Sequence, residues 1–168
     1  MGHITIVVPQ GAVGLSTVAC VAGAYEILLS ANAWSKRNGR SAQHTLVIAG
    51  SSDRVAAGAG LFTVAPQCSI AAIRKTSLII IPSVSPGAAT LQENEALIEW
   101  VRGQYGRGAE VASMCSGAFL LAASGLLDGR SCSTHWSQAQ AFRAQFPLVH
   151  LHADQLITDE ADNATREV

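Results

Sequence analysis

One cysteine stands where chemistry can be done. In EVASMCSGAFLLAASGLLDGR, residues 110–130, an apolar run stops at Cys115, Ser116 and Gly117 follow, and a helical apolar pattern begins. A strand–turn–helix joint of this kind lifts its central side chain clear of a sheet, as a nucleophile elbow does, with Ser113 in place of the pattern's first glycine. A thiol there meets the positive end of a helix and its unpaired N–H groups, which favour thiolate. The Ser116 backbone N–H is a candidate donor to an oxyanion. The competing reading is a buried, unreactive small apolar residue, a common fate of free cysteine.

Other groups offer less. His135, in STHW, is a candidate to activate the thiol, as in Cys–His nucleophiles, or a structural histidine that hydrogen-bonds near the sheet end. His150 and His152 alternate on an extended segment and share a face, so with Cys132 or His135 they are conceivable zinc ligands. No four ligands stand at a recognisable spacing, and no metal is expected. The cysteines are Cys20, Cys68, Cys115 and Cys132, with no CxxC pair. A chain this rich in core residues needs no disulfide staples, which points to a reducing cytoplasm. There is no Walker loop, GxGxxG or GxSxG, and no cofactor is expected.

The elements that must position Cys115 are legible as alternating strands and helices. HITIVVP reads as a strand buried on both faces, and Thr17 to Arg37 as a helix with Ser16 as N-cap and Gly39 near its C-terminal turn. That helix is apolar almost all round, so much of it is expected to be buried. QHTLVIAG, SLIIIPS and AEVASM read as further strands. RVAAGAGLFTVAP reads as a small hairpin, and SIAAIRKT as a short helix. LQENEALIEWVRGQYGRG is an amphipathic helix with Leu97, Ile98 and Val101 inward. A helix near Ser116, a short strand in SCSTHW, a helix in SQAQAFRAQF and an extended VHLHADQLIT complete the order. Trp34, Trp100 and Trp136 are expected to pack. The end, TDEADNATREV, is polar and expected to fray.

This alternation predicts an α/β fold: a doubly wound, mostly parallel sheet with helices on both faces, a flavodoxin-like three-layer sandwich with a hairpin insertion. Residues 1–168 are expected to form a single domain of this kind. Ligands in such sheets sit beyond the carboxyl ends of the strands, where Cys115 lies. Pro82 to Gly87, after a central strand, then makes a pocket wall. Composition agrees: the chain is 49% hydrophobic and 14% charged, with a net charge of −1. That is a large core and no basic surface for phosphates. The start carries no basic stretch ahead of a helical apolar segment and is not read as a signal peptide. No unbroken apolar run approaches the roughly 20 residues of a membrane span.

The block SMCSGAFLLAASGLLDGRSCSTHW, with ITIVVP, VAGAYEIL and GLFTVAP followed by LIIIPS in the same order, resembles the ThiJ/PfpI proteins of the class I glutamine amidotransferase-like superfamily. The branch it resembles most is the N-terminal domain of AraC-type transcriptional regulators. The resemblance covers nearly the whole chain. It implies a cysteine paired with a carboxylate from the segment after the first strand, often three residues before a Gly-Pro. Here Cys20 stands three before Gly23, and nothing acidic occurs between Met1 and Tyr25. The expected acid–base help, usually worth about 10² to 10⁴ in rate, is missing. Cys20, Ser83, Gly87 and Gly117 are the candidate ligand-pocket residues, with Cys20 either facing Cys115 across the cleft or packed as a helix core residue.

The resemblance implies a ligand-sensing and dimerising domain of an AraC-type regulator. It would bind an unknown small-molecule ligand as a homodimer, and reach DNA only through a C-terminal module outside this chain. On that reading the family's last strand and helix are expected beyond Val168. The alternative is a free-standing cysteine-dependent lyase or hydrolase, similar to isocyanide hydratase. A third reading keeps the cysteine without function, with a slow thiol and no pocket.

Overall fold

A computed structural model of the chain describes residues 2–40 and 44–160. Its centre is a five-stranded parallel sheet. Gly2–Val8 (β1) is the middle strand, and Ile4, Ile6, Val7 and Val8 are all buried. β1 pairs in register with His44–Gly50 (β2) on one side, Ile6 against Ile48, and with Leu78–Ile81 (β6) on the other, Ile6 against Ile80. Cys68–Ser69 (β5) extends the sheet beyond β2, and Glu110–Ser113 (β7) extends it beyond β6. Val55–Ala57 (β3) and Phe62–Val64 (β4) form the expected hairpin, antiparallel and separate from the sheet. Ser131–Cys132 (β8) and His150–Leu151 (β9) pair on their own.

The strand order β5-β2-β1-β6-β7 is doubly wound. The chain leaves β1 to one side, returns, and continues on the other. The crevice of such a sheet opens between the loops after β1 and β6, at their carboxyl ends.

Successive strand residues face opposite layers, so Val7 and Val8 belong to different cores. Val7, Ile79 and Ile81 pack against Glu95–Tyr105 (α3), Ala118–Ala123 (α4) and Ala139–Gln145 (α5). Leu97, Ile98 and Val101 of α3 face in, as their spacing predicts. Val8 joins a smaller cluster with Val13, Val55 and Ala57, flanked by Val18 of Leu15–Arg37 (α1).

Several expectations are corrected. α1 buries only Thr17 and Val21. By length and composition it would suffice to cross a membrane, but it is the crossover between two parallel strands. Ser16 does not cap it: the N-cap is Gly14, with no side-chain bond. The long amphipathic helix is two, Ala88–Glu93 (α2) and α3, broken at Asn94. Asn94, 1% exposed, turns its amide to the Gln10 N–H (2.8 Å) and the Gln10 carbonyl (3.1 Å), pinning the loop after β1. SIAAIRKT yields only the 3₁₀ turn Ile70–Ala72, behind a two-residue strand that had no alternating pattern to reveal it. VHLHADQLIT contributes strand only at β9. Trp34 and Trp136 are exposed, not packed, whereas Trp100 lies against the core. The fraying expected of the polar end falls largely on residues 161–168, outside the described residues.

Candidate functional site

The turn after β7 is built by three consecutive residues in a 3₁₀ helix, Cys115–Gly117. Cys115 is exposed and has φ +54°, in the left-handed region. For a residue with a Cβ that conformation costs on the order of 1–3 kcal/mol and must be held by its surroundings.

Three contacts hold it. Gly117 is one: a Cβ there would lie 2.5 Å from the Pro82 carbonyl oxygen and 2.7 Å from that of Ile81. Only glycine lets the turn approach the end of β6 so closely. Ser116 is the second. Its buried hydroxyl donates to the Val84 carbonyl (2.5 Å) and accepts from the Val84 N–H (3.2 Å). Its one proton is thereby used, so the Ser83 hydroxyl, 2.8 Å away, donates to it. Thr134 is the third, its hydroxyl donating to the Cys115 carbonyl at 3.2 Å.

The same hydroxyls tie the crevice together. Ser83 Oγ also lies 3.3 Å from Ser16 Oγ, at the start of α1. Thr17 donates to the Ser83 carbonyl (2.7 Å), and Ser85 to the Ala12 carbonyl (2.9 Å). Loops from β1, β6 and β7 thus share one network at the carboxyl edge of the sheet. The sequence marks Ser83 and Ser116 and puts Ser85 in the Pro82 to Gly87 wall, but it gives Thr17 and Thr134 no partner and reads Ser16 as a cap. Serines and threonines serve so many local bonds that none signals a long-range partner.

The remaining expected residues are dispersed among different roles. Ser83 and Gly117 are buried, Cys20 is half-buried on α1, and Gly87 is half-buried at the start of α2. A cleft of about 410 Å³ lies elsewhere, between α2, α3 and α4, lined by Leu91, Glu95, Ile98, Arg102 and Ala123 among others. The α-helix behind Cys115 begins at Ala118, two residues past Ser116 and so close to where its pattern predicts, and runs six residues, which leaves little dipole to act on the sulfur. A carboxylate reaches the loop after β1 from α2. Glu93 Oε2 occupies the space that a Cβ on Gly11 would need.

His135 is exposed and caps the 3₁₀ turn Trp136–Gln138: its Nδ1 accepts from the Ser137 N–H at 3.3 Å, and Ser137 Oγ lies 2.7 Å away. An N–H can only donate, so the neutral ring carries its proton on Nε2. Cys132 is buried in the core, and burial pushes its thiol up to about 11, which makes it inert at neutral pH. Among the described residues no group of three or more His, Cys, Asp or Glu can hold a metal ion.

The profile of the DJ-1/PfpI family matches residues 17–160. The chain is 35% identical over 60 residues to isonitrile hydratase of Pseudomonas putida, 36% of this chain and 26% of that one. It is 36% identical over 52 residues to the HTH-type transcriptional regulator GbdR of Pseudomonas aeruginosa, 31% of this chain and 14% of that one. The matched segments therefore span about a quarter and a seventh of those relatives. The solved structure of an AraC family transcriptional regulator from Pseudomonas putida superposes with a TM-score of 0.72 at 18% identity, over 95% of this chain and 80% of that one. The family profile takes in β2, β6 and β7, α1 and the cysteine turn: this chain belongs to the DJ-1/PfpI family.

Proposed function

We propose that this chain is the ligand-sensing and dimerising domain of a cytoplasmic AraC-type transcriptional regulator. The observation that carries the reading is the exposed Cys115 in a left-handed turn beside the crevice, on a chain with no carboxylate between Met1 and Tyr25. The turn has the shape of a nucleophile elbow, and the expected acid partner has become Cys20. A sensor keeps the pocket and needs no proton acceptor. Likeness to a helix-turn-helix regulator and to an AraC-type structure supports the same reading. With a net charge of −1 these residues are poorly suited to hold DNA, which is left to a separate module.

The second reading is a cysteine-dependent hydratase, favoured by the isonitrile hydratase match. Incubation with an aryl isocyanide, with formamide product followed by chromatography, separates the two. The sensor reading expects no turnover above that of Cys115→Ser, while iodoacetamide still alkylates Cys115 in the parent chain. Turnover abolished by Cys115→Ser would overturn it.

A further inference from the structure

Two residues beyond Thr134, whose hydroxyl bonds the cysteine turn, stands a second exposed group of a different kind. Trp136 is 75% exposed. An indole left so open forgoes the burial that usually rewards a large aromatic side chain, and its position decides whether that matters. Thr134, two residues earlier, is buried and bonded to the Cys115 carbonyl. The indole therefore springs from the same bolted joint as the exposed thiol, within two residue lengths, roughly 8 Å of chain, of Thr134.

The segment is held at both ends. Cys132 before it is buried and paired in β8. Behind it, Phe142 of α5 packs edge-on against Phe119 of α4, with ring centroids 5.0 Å apart. The indole is also backed: the His135 ring stacks on it at 5.5 Å and 30°, and Ser137 fixes that imidazole in turn. A flat aromatic side chain held this way offers contact area at little cost in side-chain freedom.

Resting on the reading of Cys115 as facing a ligand pocket, we infer that Trp136 is a stacking platform for that pocket. The ligand class it selects is small molecules carrying a flat conjugated ring, aryl or heteroaryl, over aliphatic ones of similar reactivity. Offset stacking of such rings is worth about 0.5–1.5 kcal/mol, roughly a twofold to tenfold preference.

The test compares N-phenylmaleimide with N-ethylmaleimide on the full chain. Both add a thiolate across the same carbon–carbon double bond with no leaving group, so the ratio of their rates reads the nitrogen substituent. Labelling of Cys115 is followed by peptide mass spectrometry, which separates it from the other three cysteines, and the ratio is normalised to that of glutathione. The expected normalised ratio is about threefold to tenfold for the parent, about one for Trp136→Ala, and within twofold of the parent for Trp136→Phe. Such an exposed position leaves folding intact in both variants. A parent ratio near one, or an aryl preference that survives Trp136→Ala, overturns the platform. So does a preference that fades as protein concentration rises, which would mean a second copy covers the indole. If neither reagent reaches Cys115 in the native chain, the pocket reading itself falls, a different outcome from a labelled thiol without selectivity.

Discussion

α1 and α4 are both apolar, both flank the sheet, and are buried to opposite extents. Of the 23 residues of α1 only Thr17 and Val21 are buried; of the six in α4, Ala118 to Ala122 all are. Hydropathy alone does not separate them. Their neighbours do. α4 is enclosed by the sheet, by α2 and α3, and by the phenylalanines of and after α5, with Phe119 against Phe142 and Phe146. α1 has the sheet and the β3–β4 hairpin on one side, and Ile27, 69% exposed, on its outer surface. An apolar helix is buried by what surrounds it, and one packed side is not enough.

The comparison can be broken, starting where the effect is largest. Phe119→Ala empties the centre of the α4 side and should cost about 3–5 kcal/mol in urea unfolding. A loss below about 1 kcal/mol would mean that α4 is not the keystone its burial makes it. Gly117→Ala drives a methyl into the Ile81 and Pro82 carbonyls. It should cost about 1–3 kcal/mol and change the alkylation rate of Cys115, because the turn must shift to admit it. An unchanged rate would show that the close approach does not set the cysteine turn.

The two sides also differ in their thiols. Cys132, on the α4 side, is raised to about 11 by burial against 9.0 ordinarily. Two pH units mean roughly a hundredfold less thiolate than in the unfolded chain, so iodoacetamide at pH 8 should reach Cys132 only after unfolding. Because the folded value is the higher one, the stability this burial sustains is complete below pH 9.0 and is lost as pH rises through about 11. Alkaline unfolding curves of the parent and Cys132→Ala should converge in slope only if that linkage is absent. The smallest effect belongs to the outer surface of α1. Ile27→Ser should move stability by less than about 0.5 kcal/mol at any protein concentration. A larger, concentration-dependent loss would show that a second copy covers α1 in solution.

Much of the fold could be read in advance because it rests on local pattern. Unbroken β-branched runs at β1 and β6, the inward spacing of Leu97, Ile98 and Val101, and the glycines around β3 and β4 each carry their own signature. The site was legible only at its centre. Cys115 at a strand end and Gly117 behind it are visible in order along the chain. The contacts of Ser116 with Val84, Ser83 with Ser16, Thr134 with Cys115 and Glu93 with Gly11 join residues 19 to 82 positions apart. No spacing rule connects them.

From its residues alone this chain determined a parallel α/β sandwich and a cysteine at the rim of its sheet, since strand and helix periodicity and the chemistry of a strand–turn–helix joint are properties of neighbours in sequence. Tertiary structure alone decided which apolar groups are covered. It left α1, Trp34 and Trp136 facing outward, buried Cys132, and turned the hydroxyls of Ser83, Ser116 and Thr134 into the frame of the cysteine turn. Burial and long-range hydrogen bonding depend on what the folded chain brings alongside a residue, and composition does not encode that arrangement locally.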